Sequence, residues 1–167
     1  MRPLFQPPAS RRTQLAGLIG WLAVAFVAGA VGAIASFDAP AFYAALDKPA
    51  WAPPAAVFGP VWTTLYVLIG ISAWLVWRER GDHGRALGWW FAQLVVNALW
   101  SWLFFAWMQG AWAFADVLLL WVLIVVTIAA FWRIRPLAGV LLLPYLAWVS
   151  FATALTWAVW RGNPGLL

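Results

Sequence analysis

Five long apolar runs constrain this chain more than any other feature. They extend from about Gln14 to Phe37, Ala55 to Trp77, Ala86 to Trp107, Trp112 to Trp132 and Leu137 to Trp160. A helix needs about 20 apolar residues to cross a hydrocarbon layer ~30 Å thick, and each run supplies them. Of the 167 residues, 66% are hydrophobic and 9% are charged, whereas a soluble domain is about a quarter charged. The sequence therefore predicts an all-α integral membrane protein, one bundle of five transmembrane helices over residues 14–162. Residues 1–13 read as a disordered basic tail and 163–167 as a short tail. The first run is too long for a signal peptide and lacks a small-residue cleavage site beyond it, so it reads as a retained span.

Charge gives an orientation. The formal net charge is +5, and the basic residues sit at span ends, which fits a membrane better than nucleic acid. Arg2, Arg11, Arg12, Arg78, Arg80, Arg85, Arg133 and Arg135 fall on one side of a five-span chain, and Lys48 and Arg161 on the other. Positive residues stay inside, so a bacterial inner membrane with a cytoplasmic N-terminus is expected.

The chain offers little conventional chemistry. With no cysteine, it cannot form disulfides or thiolate metal sites. Its one histidine, His83, falls in a charged loop and reads as solvated. There is no buried His/carboxylate metal cluster, no Ser/His/Asp set in one membrane layer, and no nucleotide-binding motif. Acid–base or metal catalysis is not expected. A redox or photochemical role for a tryptophan beside a pigment stays open.

Polar groups inside the spans are few. Gln93 and Asn97 lie four apart on the third span, and Trp100, Ser101 and Phe104 continue that face. Such amides either join helices or bind a ligand. Asp116, about one turn into the fourth span, suggests a capping or interhelical role. The 16 tryptophans are far more than a chain of this length needs. Trp74, Trp77, Trp89, Trp90, Trp107, Trp112, Trp132, Trp157 and Trp160 lie near span ends and read as an interfacial belt. Trp62, Tyr66 and Gly70 share a face of the second span, and Tyr145, Trp148 and Ala152 share one of the fifth. Two aromatic faces and a polar one together outline a flat, mostly apolar cavity suited to a large planar ligand. Before them comes Asp47–Gly70, DKPAWAPPAAVFGPVWTTLYVLIG, where proline pairs break the helix between aromatics. That stretch suits either a binding lid or a rigid connector.

LDKPAWAPPAAVFGPVWTTLYVLIGISAWLVW, QLVVNALWSWLFF and LLLPYLAWVSFATAL resemble the tryptophan-rich sensory protein family, also called TspO/MBR or translocator protein. The likeness runs through all five spans. It implies a membrane sensor or regulator, often a homodimer, that binds tetrapyrroles such as protoporphyrin IX and haem as ligands, with no covalent cofactor. Light-dependent porphyrin degradation and tetrapyrrole or sterol transport are the alternatives it carries. Expected ligand-binding positions are Tyr43, the lid residue Trp51, Trp62, Tyr66, Asn97, Trp100 and Trp148. The animal sterol motif is incomplete, because Leu155, Trp157 and Arg161 put Trp where the family has Tyr. Two small-residue spacings could pair copies, Gly88-x3-Ala92 and Ala28-x3-Gly32. The resemblance favours the former.

Overall fold

The computed structural model describes residues 10–167. Seven α-helices follow in order: α1 Arg11–Ala35, α2 Ala39–Ala45, α3 Phe58–Trp77, α4 Gly84–Ser101, α5 Gly110–Ile134, α6 Pro136–Val140 and α7 Leu143–Gly162. A 3₁₀ turn, Ala55–Val57, leads into α3, and a π turn, Trp102–Ala106, ends α4. Five helical stretches are long and apolar enough to cross a membrane: α1, the 3₁₀ turn with α3, α4 with the π turn, α5, and α6 with α7. This is an all-helical, multi-pass integral membrane protein.

Local chemistry sets the boundaries. Ser10 caps α1, its hydroxyl accepting from the Thr13 amide at 3.2 Å. The first span thus begins at Arg11 rather than Gln14, and residues 10–13 are ordered. The rest of the expected tail, residues 1–9, lies outside the described residues. The connection from Asp38 to Pro54 contains α2, which begins with Pro40 near its first turn. Lys48 Nζ closes the other end of α2 by donating to the carbonyls of Tyr43, Ala44 and Leu46. Arg135 is extended (φ −146°, ψ 101°), as a residue before proline must be, and Pro136 then starts α6. Pro144, which lacks an N–H, stands in the first turn of α7 and divides the fifth span in two.

At the third-to-fourth junction the tight turn is built on Met108, whose φ is +52°. Gly110, two residues on, is the first residue of α5. It is needed there because a Cβ would run into the Trp160 indole. The π turn is closed by Trp107 N–H donating to Trp102 O at 2.8 Å.

In the bundle, α1 packs on α3 and α4, α4 on α5, and α5 on α6 and α7, while α3 closes the ring against α6 and α7. Of α1 only Ala25 and Gly32 are buried, and Leu15, Ile19, Val27, Val31 and Ile34 are exposed. In water such a face would be a large apolar patch; here it is lipid contact. The tryptophan belt needs one correction. Trp90 is fully buried, donates from Nε1 to Ile69 O at 3.1 Å and meets Trp21 edge-on. It belongs to the core because its face of α4 packs against α3 and α1, whereas Trp89, one residue earlier, is exposed. Trp77, Trp89, Trp107, Trp112, Trp132 and Trp157 are all exposed.

Small residues decide which helices meet. A Cβ on Gly70 would lie 3.0 Å from the Leu22 backbone, and one on Gly32 would lie 3.1 Å from Ser101 Oγ. Ala28-x3-Gly32 is therefore spent inside the protomer, against α4. Gly88 is exposed, with nothing within 4 Å of where its Cβ would be.

Candidate functional site

The bundle encloses a cavity of about 570 Å³ between α1, α3, α4, α5 and α7, roofed by α2 and the 3₁₀ turn. That is within the range of small-molecule sites, roughly 300–1,000 Å³. Tyr43, Trp62, Tyr66, Asn97, Trp100 and Trp148 all line it, together with Phe26, Phe58 and Phe104. Among the described residues, no charged side chain is on its wall.

Ring geometry gives the wall its shape. Trp62 and Tyr66, one turn apart on α3, stack at 5.6 Å with planes 29° apart. Trp62 meets Tyr145 edge-on at 6.2 Å. Trp100 stacks on Phe104 at 5.1 Å. Its Nε1 is buried and has no hydrogen-bond partner among the described residues. On the far side Trp148 meets Phe58 at 5.8 Å. Tyr66 has room because Gly29 faces it: a Cβ there would stand 2.6 Å from the Tyr66 ring.

The polar end is a three-residue chain. Asn97 Nδ2 donates to Tyr145 Oη at 2.9 Å, and the Tyr145 hydroxyl donates to Gln93 Oε1 at 2.8 Å. Gln93 and Tyr145 are off the cavity wall, so they join α4 to α7 and hold Asn97 in place. One amide proton of Asn97 is spent on Tyr145, and the other, with Oδ1, remains for a ligand. Asp116 neither caps α5 nor pairs across helices. It is 7% exposed, and Oδ2 is buried without a hydrogen-bond partner among the described residues.

The Asp38–Pro54 connection is tied at both ends. Tyr43 Oη donates to Pro53 O at 3.0 Å, and Lys48 Nζ sits 4.9 Å from the Tyr43 ring centroid. Burial raises the Tyr43 pKa above its ordinary value, so the phenol keeps the proton it donates. Asp47 is clasped by Asn163: Asp47 N–H donates to Oδ1 at 2.8 Å, and Nδ2 donates to Asp47 O at 2.9 Å. Trp51 is not brought to the cavity. It is 51% exposed and packs edge-on against Phe151 at 5.7 Å, which in turn meets Trp148.

Sequence reasoning missed the α1 contribution of Phe26, Gly29 and Ala33. The Ala28-x3-Gly32 spacing of span one pointed to close approach of another helix, not to a cavity wall. It placed Tyr145 on the aromatic face of the fifth span but did not pair it with Asn97. Leu155 does not share the face of α7 that carries Trp157 and Arg161. Leu155 lines the cavity, while Trp157 is exposed under the Arg161 guanidinium, 5.6 Å from its ring.

A five-span helical bundle around an aromatic cavity defines the class: a multi-pass membrane protein with an internal aromatic cavity. The sequence profile of the TspO/MBR family matches residues 21–161. The chain is 44% identical to translocator protein from Homo sapiens over 128 residues, 74% of this chain and 76% of the relative. It is 41% identical over 141 residues to protein CrtK from Rhodobacter capsulatus, 83% of this chain and 87% of that one. Tryptophan-rich sensory protein from Cereibacter sphaeroides is 40% identical over 122 residues, 73% and 77% of the two chains. The chain belongs to the TspO/MBR family.

Proposed function

We propose that this protein is a membrane sensor that binds a tetrapyrrole, protoporphyrin IX or haem, flat in the aromatic cavity. The observation carrying this reading is the wall itself: Trp62 stacked on Tyr66 on one side, Trp148 on another, and no charge between them. Indole and phenol faces bind a planar π-system by stacking. Asn97 supplies an edge contact, and the buried Trp100 Nε1 is a donor still in need of an acceptor. Occupancy would be signalled through the lid, whose Tyr43 lies on the wall and is tied to Pro53.

Filling the cavity tests this. Ala152 is a small wall residue, and Ala152→Trp should weaken protoporphyrin IX binding by about tenfold or more. An unchanged affinity would remove the ligand from this cavity. The presence of Trp62 and Trp148 on the wall favours a second reading, light-dependent breakdown of the bound pigment. Illuminating the complex separates the two: a stable spectrum means sensing, and bleaching that disappears in Trp62→Phe means chemistry. Transport has less support, since no internal repeat is visible in the sequence. The protein is further proposed to sit in a bacterial inner membrane with its N-terminus in the cytoplasm. It would pair as a homodimer through the open Gly88/Ala92 face of α4.

A further inference from the structure

Trp51 is the aromatic that the cavity leaves out, and its place marks a second hollow. On the outside of the bundle, between α3 and α7, lies a groove of about 620 Å³. Pro60, Thr64 and Leu68 line it from α3, and Pro144, Ala147 and Phe151 from α7. From Pro60 to Leu68 the helix rises ~12 Å, at about 1.5 Å per residue. The groove starts where the fifth span is divided: α6 packs closely on α3, but the chain restarts as α7 at Leu143 and touches α3 at few points. Trp148 lines both this groove and the inner cavity, so its indole is a partition between them.

We infer that this groove holds one acyl chain of a phospholipid, from the leaflet on the side of the Asp38–Pro54 connection, with the lipid's head at Trp51. Both helices belong to membrane spans, so what reaches the groove comes from the bilayer. Along its length the groove suits hydrocarbon. Among the described residues none of its lining is charged, and Thr64 Oγ1 donates to Pro60 O at 3.0 Å, so that hydroxyl is satisfied within α3. Hydrogen bonding enters only at the end. Trp51 meets Phe151 edge-on at 5.7 Å, is half exposed, and its indole N–H has no acceptor among the described residues. An apolar slot with one donor at its mouth fits an amphiphile: the chain fills the slot, and an ester or phosphate oxygen accepts from Trp51. A helix from a second copy would cover the slot but bring no such acceptor, because its backbone carbonyls are already engaged. The inference does not depend on what fills the inner cavity.

The full chain, purified in a mild detergent, is titrated with dioleoylphosphatidylcholine, and bound lipid is counted by native mass spectrometry. The parent should retain one tightly held lipid per chain. Ala147→Trp and, separately, Thr64→Trp put an indole in the groove and should weaken that binding by about tenfold or more. Trp51→Phe keeps a ring against Phe151 and removes the donor, so it should weaken binding by about fivefold. Ala152→Trp, on the inner cavity wall, should leave it unchanged. Ala147 and Thr64 are exposed on different helices, so damage to one helix cannot account for agreement between the two variants. Parental lipid binding in both would overturn the inference. So would the absence of a saturable lipid on the parent, an equal loss in Ala152→Trp, or parental affinity in Trp51→Phe. Conversion of a dimer to a monomer by Ala147→Trp with the lipid still bound would give the groove to a second copy and overturn it as well. None of these outcomes involves tetrapyrrole binding, so they leave the proposed function to its own test.

Discussion

Tyr145 holds two amides with one hydroxyl, accepting from Asn97 and donating to Gln93 in a buried layer. Tyr145→Phe keeps the ring but strands both partners. A buried polar group left without its partner costs about 1–3 kcal/mol, so thermal unfolding in detergent should show a clear drop in Tm. Tetrapyrrole affinity should fall as well, since Asn97 would be free to turn. A variant as stable as the parent would mean that water replaces the hydroxyl. The Asn97–Gln93 spacing was legible in the sequence, since amides four apart share a helix face. The tyrosine joining them was not, because nothing in a single sequence pairs position 145 with position 97. Asp116 was misread for a similar reason. Its distance from the start of α5 suggested a cap, but it lies more than a turn inside, where the amides are already engaged.

Individual helices are specialised by their small residues. Gly29 on α1 exists to admit Tyr66, and Gly29→Ala would push that ring toward the cavity. The expected result is a loss of tetrapyrrole affinity of about tenfold, ~1.4 kcal/mol, with the helix itself slightly favoured. The lid responds to a different change. Asn163→Ala removes both clasp bonds, each worth ~1 kcal/mol, so amide exchange over residues 47–54 should quicken by about tenfold or more. Unchanged exchange there would show that Lys48 and Tyr43 hold the lid without it. The long helices could be read from apolar runs, since a bilayer leaves few alternatives for such segments. The short elements were hidden. Pro40 in its first turn and Pro49 soon after it masked α2, although its APAFYAA composition favours helix. The π turn and Met108 carry no glycine or proline to mark them.

For the molecule as a whole, the ring of spans leaves Gly88 open, beside a half-buried Ala92, and consumes Gly32. The proposed pairing through α4 predicts that Gly88→Leu makes the protein monomeric in nanodiscs or detergent, whereas Gly32→Leu should impair folding instead. A dimer that survives Gly88→Leu would move the interface elsewhere. The architecture was largely legible because hydropathy fixes span number, and the family likeness fixed the order of the motifs. The cavity was legible only in part. Aromatic faces on α3 and α7 pointed inward as expected, but Trp51 fell outside and α1 supplied a wall that its own sequence does not announce. What matters most for function is whether that wall binds a flat ring. The deciding measurement is a dark titration of the reconstituted protein with protoporphyrin IX, following tryptophan fluorescence, beside the Trp62→Ala/Trp148→Ala double variant. Saturable quenching in the parent that is lost in the double variant is the predicted result. Quenching that never saturates, or that is the same in both proteins, would contradict tetrapyrrole binding in this cavity.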